Sequence, residues 1–160
     1  MSDILCMYYS RTGNTRETMT EIAAELDAEL VEITDGQDRS GWRGYWRSGM
    51  EAMRHSTRPL KHFDTERPLE DYRLVVLGTP VWAGRCSSVI RAFLKRRGLE
   101  PKRVAYVITR DSSKRYEEVY DQMDQYTATP RLFAYSLRVG EVGYEFWRDK
   151  FVSEAKAFLG

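Results

Sequence analysis

The chain has 160 residues, a formal net charge of +1, 42% hydrophobic residues and 31% charged residues. This size and composition predict one globular domain, residues 1–160, with a substantial core. The small net charge gives no electrostatic reason to expect nucleic-acid or membrane binding, and no apolar run approaches the roughly 20 residues of a membrane span. Met1–Asp3 carry no signal-peptide pattern, and Cys6 and Cys86 are too few for a disulfide framework, so we expect a cytoplasmic protein.

The chain begins with the pattern of a βαβ unit. The apolar run from Ile4 to Tyr9 is typical of a strand that is covered on both faces. Apolar residues then recur at helical spacing from Met19 to Leu30, and Leu30–Ile33 read as a second, short strand. The crossover between two such parallel strands is almost always right-handed.

The loop between the first strand and the first helix has the composition of a phosphate-binding loop. It reads Ser10-Arg11-Thr12-Gly13-Asn14-Thr15. The first N–H groups of a helix have no partner within the helix, and the helix dipole adds partial positive charge there. Hydroxyl groups can supplement these donors, and a glycine permits close approach of a phosphate. The alternative is an empty loop in which Asn14 or Thr15 merely caps the helix.

Residues 37–70 form an aromatic and basic extension of the βα pattern. A helically spaced stripe is surrounded by arginines and consists of Trp42, Tyr45, Trp46, Met50 and Met53. One interpretation is a crossover helix that packs this stripe on the sheet. The other is that some of the aromatic side chains overhang a ligand site. Residues 55–70 contain Pro59 and Pro68 and read as an irregular connection.

The rest of the chain alternates strands and helices. Strands are predicted at Tyr72–Gly78, Val104–Thr109 and Leu132–Leu137, and helices follow each of them. The helix after Val89 is predicted to end at Gly98, with the glycine as a left-handed C′ residue. Five strands alternating with helices predict a doubly wound parallel α/β sheet, and the loops after the first, third and fourth strands should meet at its carboxyl edge.

Two of these loops resemble those of the flavodoxin family. Residues 10–15 match its hydroxyl-rich phosphate loop, [ST]-x-T-G-x-T, and Gly78–Gly84 are similar to the loop that lies against its flavin ring. The resemblance implies a three-layer α/β/α fold with strand order 2-1-3-4-5 and non-covalently bound FMN. The implied cofactor-binding residues are Ser10, Arg11, Thr12, Gly13, Asn14, Thr15, Pro80, Val81, Trp82, Ala83, Gly84, Thr109, Arg110, Asp111 and Ser112.

The function implied by this resemblance is electron transfer through FMN, with a redox partner protein or a small-molecule acceptor that the sequence does not identify. Electron-carrier flavodoxins are strongly acidic, whereas this chain is nearly neutral. The alternative is therefore an FMN-dependent NAD(P)H or quinone reductase, with a substrate pocket formed partly by residues 41–58. Exposed aromatic residues in the same segment would also be compatible with a homodimer.

The sequence leaves the roles of several other side chains undecided. Arg110 or Arg85 is hypothesised to lie near the flavin and to stabilise the negative charge of its reduced form. Cys86 is either redox-active or, more simply, a packing residue. A low-molecular-weight phosphatase is disfavoured because Cys6 and Arg11 have C-x4-R rather than C-x5-R spacing. No metal site and no catalytic side chain are predicted.

Overall fold

The computed structural model describes residues 2–160, which alternate strands and helices as the sequence predicts. The strands are β1 (Ile4–Tyr8), β2 (Glu29–Glu32), β3 (Leu74–Trp82), β4 (Arg85–Cys86), β5 (Val104–Thr109) and β6 (Ala134–Leu137). The helices are α1 (Asn14–Leu26), α2 (Gly41–Met53), α3 (Ser88–Arg97), α4 (Glu118–Asp124) and α5 (Tyr144–Leu159), with a 3-10 turn at Leu69–Asp71. Among these residues no helix combines the length and apolar character that a membrane crossing requires.

Five of the strands form one parallel sheet in the order β2-β1-β3-β5-β6. Counted without the short β4, this is the predicted 2-1-3-4-5 order, and the doubly wound fold is confirmed. The order reverses between β1 and β3, whose carboxyl ends lie side by side with Tyr8 opposite Gly78. A crevice at such a switch point is where open α/β sheets bind their ligands.

The main difference from the predicted elements is the length of β3. The sequence indicated a loop from Thr79, but the strand continues to Trp82 because Pro80 pairs with Thr109 of β5. Beyond that point β3 folds back into an antiparallel hairpin with β4, in which Trp82 pairs with Arg85. Ala83 and Gly84 form its two-residue turn, with φ angles of 50° and 75°. Two left-handed residues are the pattern of the tight hairpin turns that match strand twist.

The core lies on both faces of the sheet, which confirms the three-layer architecture. Alternate residues of β1 point to opposite faces, so Leu5 and Met7 join one apolar cluster while Ile4 and Cys6 join the other. The first cluster includes residues of α3 and α4, and the second includes residues of α1 and α5. Both faces are therefore covered, as the uninterrupted apolar composition of β1 indicated.

Gly98 ends α3, but not in the predicted left-handed conformation. Its φ is −64°, so the expected C′ geometry is wrong. A Cβ atom at this position would lie 2.4 Å from the carbonyl oxygens of Leu94 and Tyr126. Glycine is needed here because two backbone segments approach it closely.

Cys6 provides a test of core burial through pH. Burial raises the pKa of its thiol to about 12, whereas an unfolded cysteine titrates near 8.5. The neutral thiol therefore stabilises the fold fully below the unfolded pKa, and this contribution is lost as the pH rises towards the folded value. Between these pKa values the free energy of unfolding of the wild type should fall more steeply than that of Cys6→Ala, by about 1.4 kcal/mol per pH unit. Urea unfolding at several alkaline pH values measures both slopes, and parallel curves would contradict the assignment.

Candidate functional site

The carboxyl ends of β1, β3 and β5, together with the residues that follow β1 and β5, meet at one edge of the sheet and enclose a narrow groove. Its volume is about 40 Å³, and it is lined by Ser10, Arg11, Thr12, Asn14, Thr15, Tyr45, Pro80, Val81, Trp82, Thr109 and Asp111. All but Tyr45 are among the predicted cofactor-binding residues. Of the remaining predicted residues, Ala83 lines a neighbouring cavity, whereas Gly13, Gly84, Arg110 and Ser112 line neither space.

The polar end of the groove lies at the first turn of α1. Gly13 is the N-cap residue, with a φ of 113°, and no side chain among residues 2–160 caps the helix. The interpretation in which Asn14 or Thr15 serves as the cap is therefore wrong. The N–H groups of the first turn are left without helical acceptors. Apart from the chain neighbours of Gly13, no heavy atom in the part of the chain that the structure describes lies within 4 Å of the position that a Cβ would take at this residue.

Hydroxyl groups hold the loop after β1 in place and connect the start of α1 to the end of β5. The Ser10 hydroxyl accepts a hydrogen bond from the Gly13 N–H at 3.0 Å. The buried hydroxyls of Thr15 and Thr109 share a hydrogen bond of 2.7 Å. Thr15 thus links α1 to the end of β5, while Thr12 is exposed at the groove. Thr12 is consequently the hydroxyl of this loop that is best placed to meet a ligand.

Helix α2 forms the other wall of the site, with its aromatic stripe facing outwards. Trp42 is 71% exposed, and Tyr45 and Trp46 are each 64% exposed. The residues that α2 buries are instead Gly44, Ser48, Glu51 and Ala52. The prediction that this stripe packs on the sheet is therefore wrong. The alternative, in which some of the aromatic side chains overhang a ligand site, stays a prediction, with Tyr45 at the groove.

An apolar cavity of about 200 Å³ continues from the groove between α2 and the β3–β4 hairpin. Its walls are Tyr45, Trp46, Gly49, Met50, Met53, Val81, Trp82 and Ala83. Tyr45, Val81 and Trp82 line both spaces. The site therefore has a polar end at α1 and an apolar end at α2.

A buried ionic cluster holds α2 in this position. The Arg39 guanidinium, 3% exposed as a residue, pairs with Asp35 at 2.6 Å and also with Glu51 of α2. It donates a further hydrogen bond to the Ser48 hydroxyl at 3.2 Å. These two acidic partners favour the charged form and raise the pKa of Arg39 despite the opposing effect of burial. The sequence pattern placed Arg39 only among the arginines that surround the aromatic stripe, although the i,i+4 spacing of Asp35 and Arg39 indicated an ion pair.

The same arginine positions Trp82, the last residue of β3. The Arg39 guanidinium carbon lies 5.0 Å from the centroid of the Trp82 ring. Tyr9 meets that ring edge-on, with centroids 5.6 Å apart. Burial raises the pKa of Tyr9 to about 12, so its hydroxyl stays protonated at neutral pH. Arg11, at the groove, donates to the Arg39 carbonyl at 3.0 Å and lies 5.6 Å from the centroid of the Tyr45 ring.

The side chains of Arg110 and Arg85, which were hypothesised to lie near the flavin, are hydrogen-bonded to other groups of the protein. The Arg110 guanidinium is buried, donates to the Ser136 hydroxyl at 2.8 Å and pairs with Glu141 at 3.2 Å. Arg85 donates to the Ala83 carbonyl at 2.9 Å. Neither lines the groove or the cavity.

Two further features bear on the chemistry of the site. Cys86, at the base of the hairpin, is 2% exposed, and burial raises the pKa of its thiol to about 11. It therefore packs as a neutral thiol. Among residues 2–160, no group of three or more His, Cys, Asp or Glu side chains could hold a metal ion.

The approach of α2 to the Asp35–Arg39 segment can be tested with two glycines of one helix. A Cβ at Gly44 would lie 1.9 Å from the Arg39 carbonyl oxygen, whereas a Cβ at Gly49 would meet nothing within 4 Å. We expect Gly44→Ala to lower the free energy of unfolding by about 1–3 kcal/mol or more, because backbone must move. Gly49→Ala should raise it by up to about 1 kcal/mol through helix propensity. Urea unfolding followed by circular dichroism compares them, and equal effects would refute this packing.

Comparisons with known proteins agree with this architecture. The flavodoxin family model matches residues 3–131. No curated protein sequence matches the chain significantly. Similar solved structures include a protein from Bacteroides uniformis assigned as a flavoprotein, with a TM-score of 0.72, 18% identity, and coverage of 94% of this chain and 97% of that one.

Two other solved structures extend the comparison. The flavoprotein of Lactobacillus acidophilus NCFM, solved in complex with FMN, has a TM-score of 0.67 and 18% identity over 92% of this chain and 99% of its own. Oxidised flavodoxin 2 of Bacillus cereus has a TM-score of 0.56 and 20% identity over 98% of this chain and 97% of its own. These likenesses show a common fold. Together with the family match, which spans most of the chain, they identify this protein as a member of the flavodoxin family.

Proposed function

We propose that this protein binds FMN non-covalently and transfers electrons through it. The observation that carries the proposal is the continuity of the polar groove with the apolar cavity through Tyr45, Val81 and Trp82. FMN has the same division, with a charged phosphate and polar ribityl chain at one end and a flat, largely apolar ring system at the other. The two ends of the site thus suit the two ends of the cofactor.

The phosphate would be held by neutral donors at the start of α1. The free N–H groups of the first turn, the Thr12 hydroxyl and the Asn14 side chain all lie at the polar end. A helix N-terminus favours an anion through its dipole and its unpaired N–H groups. Arg11 lines the groove as well, but its guanidinium is already bonded to the Arg39 carbonyl. Its contribution is therefore mainly positive charge near the phosphate.

The flavin ring would lie along the end of β3 and the turn of the β3–β4 hairpin. Trp82 is fixed by Arg39 and Tyr9 on its buried sides, so its position is set before any ligand arrives. Preorganisation of this kind reduces the entropy cost of binding. Ala83 and Gly84 form the adjoining hairpin turn, whose backbone polar groups are candidates to meet the polar edge of the ring. Thr109, the last residue of β5, and Asp111, two residues later, also line the groove.

When bound, FMN supplies reversible one- and two-electron transfer, and the protein determines its orientation and access. Here the chain's contribution is to hold the phosphate at α1, to exclude water with the apolar wall of α2, and to leave the outer side of that wall open. The exposed aromatic residues next to the groove provide a surface through which an electron acceptor or donor can approach.

A second candidate function is supported by the far end of the apolar cavity. Trp46, Met50 and Met53 line this end, beyond the residues shared with the groove. An apolar substrate such as a quinone would fit such a surface, and the protein would then act as an FMN-dependent reductase. A donor such as NAD(P)H would be needed for turnover.

The phosphate site can be tested with a variant that removes one hydroxyl. We expect Thr12→Val to weaken FMN binding about tenfold or more, because a hydrogen bond to a charged phosphate is worth about 1.5–3 kcal/mol. Riboflavin, which lacks the phosphate, should bind both proteins equally. Quenching of flavin fluorescence measures each affinity. Thr20→Val, an identical change at an exposed position of α1, is the control and should leave FMN binding unchanged.

Two results would contradict this site. If the wild type leaves the fluorescence and visible spectrum of added FMN unchanged, the proposed function fails. If Thr12→Val weakens FMN and riboflavin equally, the phosphate is not held at the first loop.

Carrier and reductase can be separated once FMN is bound. For a carrier, we expect that NADH and NADPH leave the visible flavin band unchanged under anaerobic conditions, whereas dithionite bleaches it and oxidised cytochrome c restores it. Bleaching by NADH or NADPH at catalytic rates, followed by turnover with a small quinone, would favour the reductase instead.

A further inference from the structure

We propose that the outer face of α2 is the docking surface for an acidic protein partner. The surface, here called the α2 face, consists of Trp42, Arg43, Tyr45, Trp46, Arg47, Met53 and Arg54, all of which are exposed. Tyr45 also lines the groove, and Tyr45, Trp46 and Met53 line the apolar cavity, so the α2 face borders the candidate site. The biological reason for docking, electron transfer, rests on the proposed function. The contact itself can be measured without a cofactor.

The composition of the α2 face is that of a protein interface. Tryptophan, tyrosine, methionine and arginine are the residue types enriched at the centres of such interfaces, whereas lysine and acidic residues are depleted. Residues 41–54 contain no lysine, and their single acidic side chain, Glu51, is buried against Arg39. Of the ten large apolar side chains that are exposed among residues 2–160, four lie on this one helix, at 57–71% exposure. Contiguous exposure of this kind marks interaction sites.

The charge of the α2 face selects the partner. Arg43, Arg47 and Arg54 form no ion pair with any of residues 2–160, unlike Arg39 and Arg58, which pair with Glu51. The Arg43 guanidinium instead lies 5.6 Å from the centroid of the Trp42 ring. These arginines give the face positive charge although the net charge of the chain is only +1. An acidic surface would supply the missing carboxylates and be steered towards the groove.

Other occupants fit this surface less well. A second copy that docked symmetrically through the same face would place its arginines against those of the first, which is unfavourable. A nucleic-acid partner usually meets a more basic domain, and the nearly neutral chain lacks that charge. A membrane surface would require anionic lipid.

The four tryptophans provide a direct measurement. We would record the indole N–H signals of the ¹⁵N-labelled protein while adding an acidic [2Fe–2S] ferredoxin as the probe. The signals of Trp42 and Trp46 should shift or broaden, and that of Trp147, on α5, should not. Added salt should reverse the effect, because it screens exposed charges. A basic cytochrome c should produce no such change.

Matched charge reversals test the role of the arginines. The double variant Arg43→Glu/Arg47→Glu should weaken ferredoxin binding about tenfold or more. The control Lys102→Glu/Arg103→Glu makes the same change in net charge at exposed positions just before β5, at the opposite edge of the sheet, and should retain wild-type affinity. Circular dichroism would establish that each variant is folded.

Several outcomes would overturn the docking surface: no response of Trp42 and Trp46 to ferredoxin, equal weakening by both charge reversals, or a concentration-dependent dimer that buries these residues. A response to anionic lipid vesicles or to single-stranded DNA, without one to ferredoxin, would assign the face to a different partner and also refute the proposal. If the chain docks ferredoxin but takes up no FMN, the docking surface stands and the proposed function fails.

Discussion

The candidate site depends on one buried guanidinium, that of Arg39. The guanidinium pairs with Asp35 and with Glu51 of α2 and lies over the Trp82 ring, and the backbone carbonyl of Arg39 accepts a hydrogen bond from Arg11. A buried charge is tolerated only when its partners are well placed, and removing one partner costs about 3–5 kcal/mol because the others remain buried. These contacts therefore hold α2, the loop after β1 and Trp82 at the end of β3 in one arrangement.

The orientation of α2 follows from this constraint. Because Ser48 and Glu51 must face Arg39, and Gly44 must pass close to its carbonyl, the helix turns small and polar residues inwards. Its aromatic stripe is then left at the surface beside the groove. An amphipathic helix normally buries its apolar stripe, so the reversal here is a structural reason to look for a ligand and a partner on that side.

The parallel sheet supplies the other half of the site. β1, β3 and β5 end at one edge, and the Thr15–Thr109 hydrogen bond joins the first turn of α1 to the end of β5. The polar end of the site is therefore built on buried strands and the start of α1, whereas the apolar end lies between the β3–β4 hairpin and α2, a helix held by ion pairs.

The sequence by itself determined the parallel sheet and the position of the first loop, because burial on two faces and helical spacing leave local patterns such as Ile4–Tyr8. The strand order was implied by the resemblance to the flavodoxin family. The sequence also identified most residues that line the groove. It could not decide the orientation of α2, the continuation of β3 to Trp82, or the burial of Arg39 and Arg110. Those features depend on pairings between residues distant in the chain, such as Arg39 with Glu51 and Pro80 with Thr109. Their free energy exists only when the tertiary structure brings the partners together.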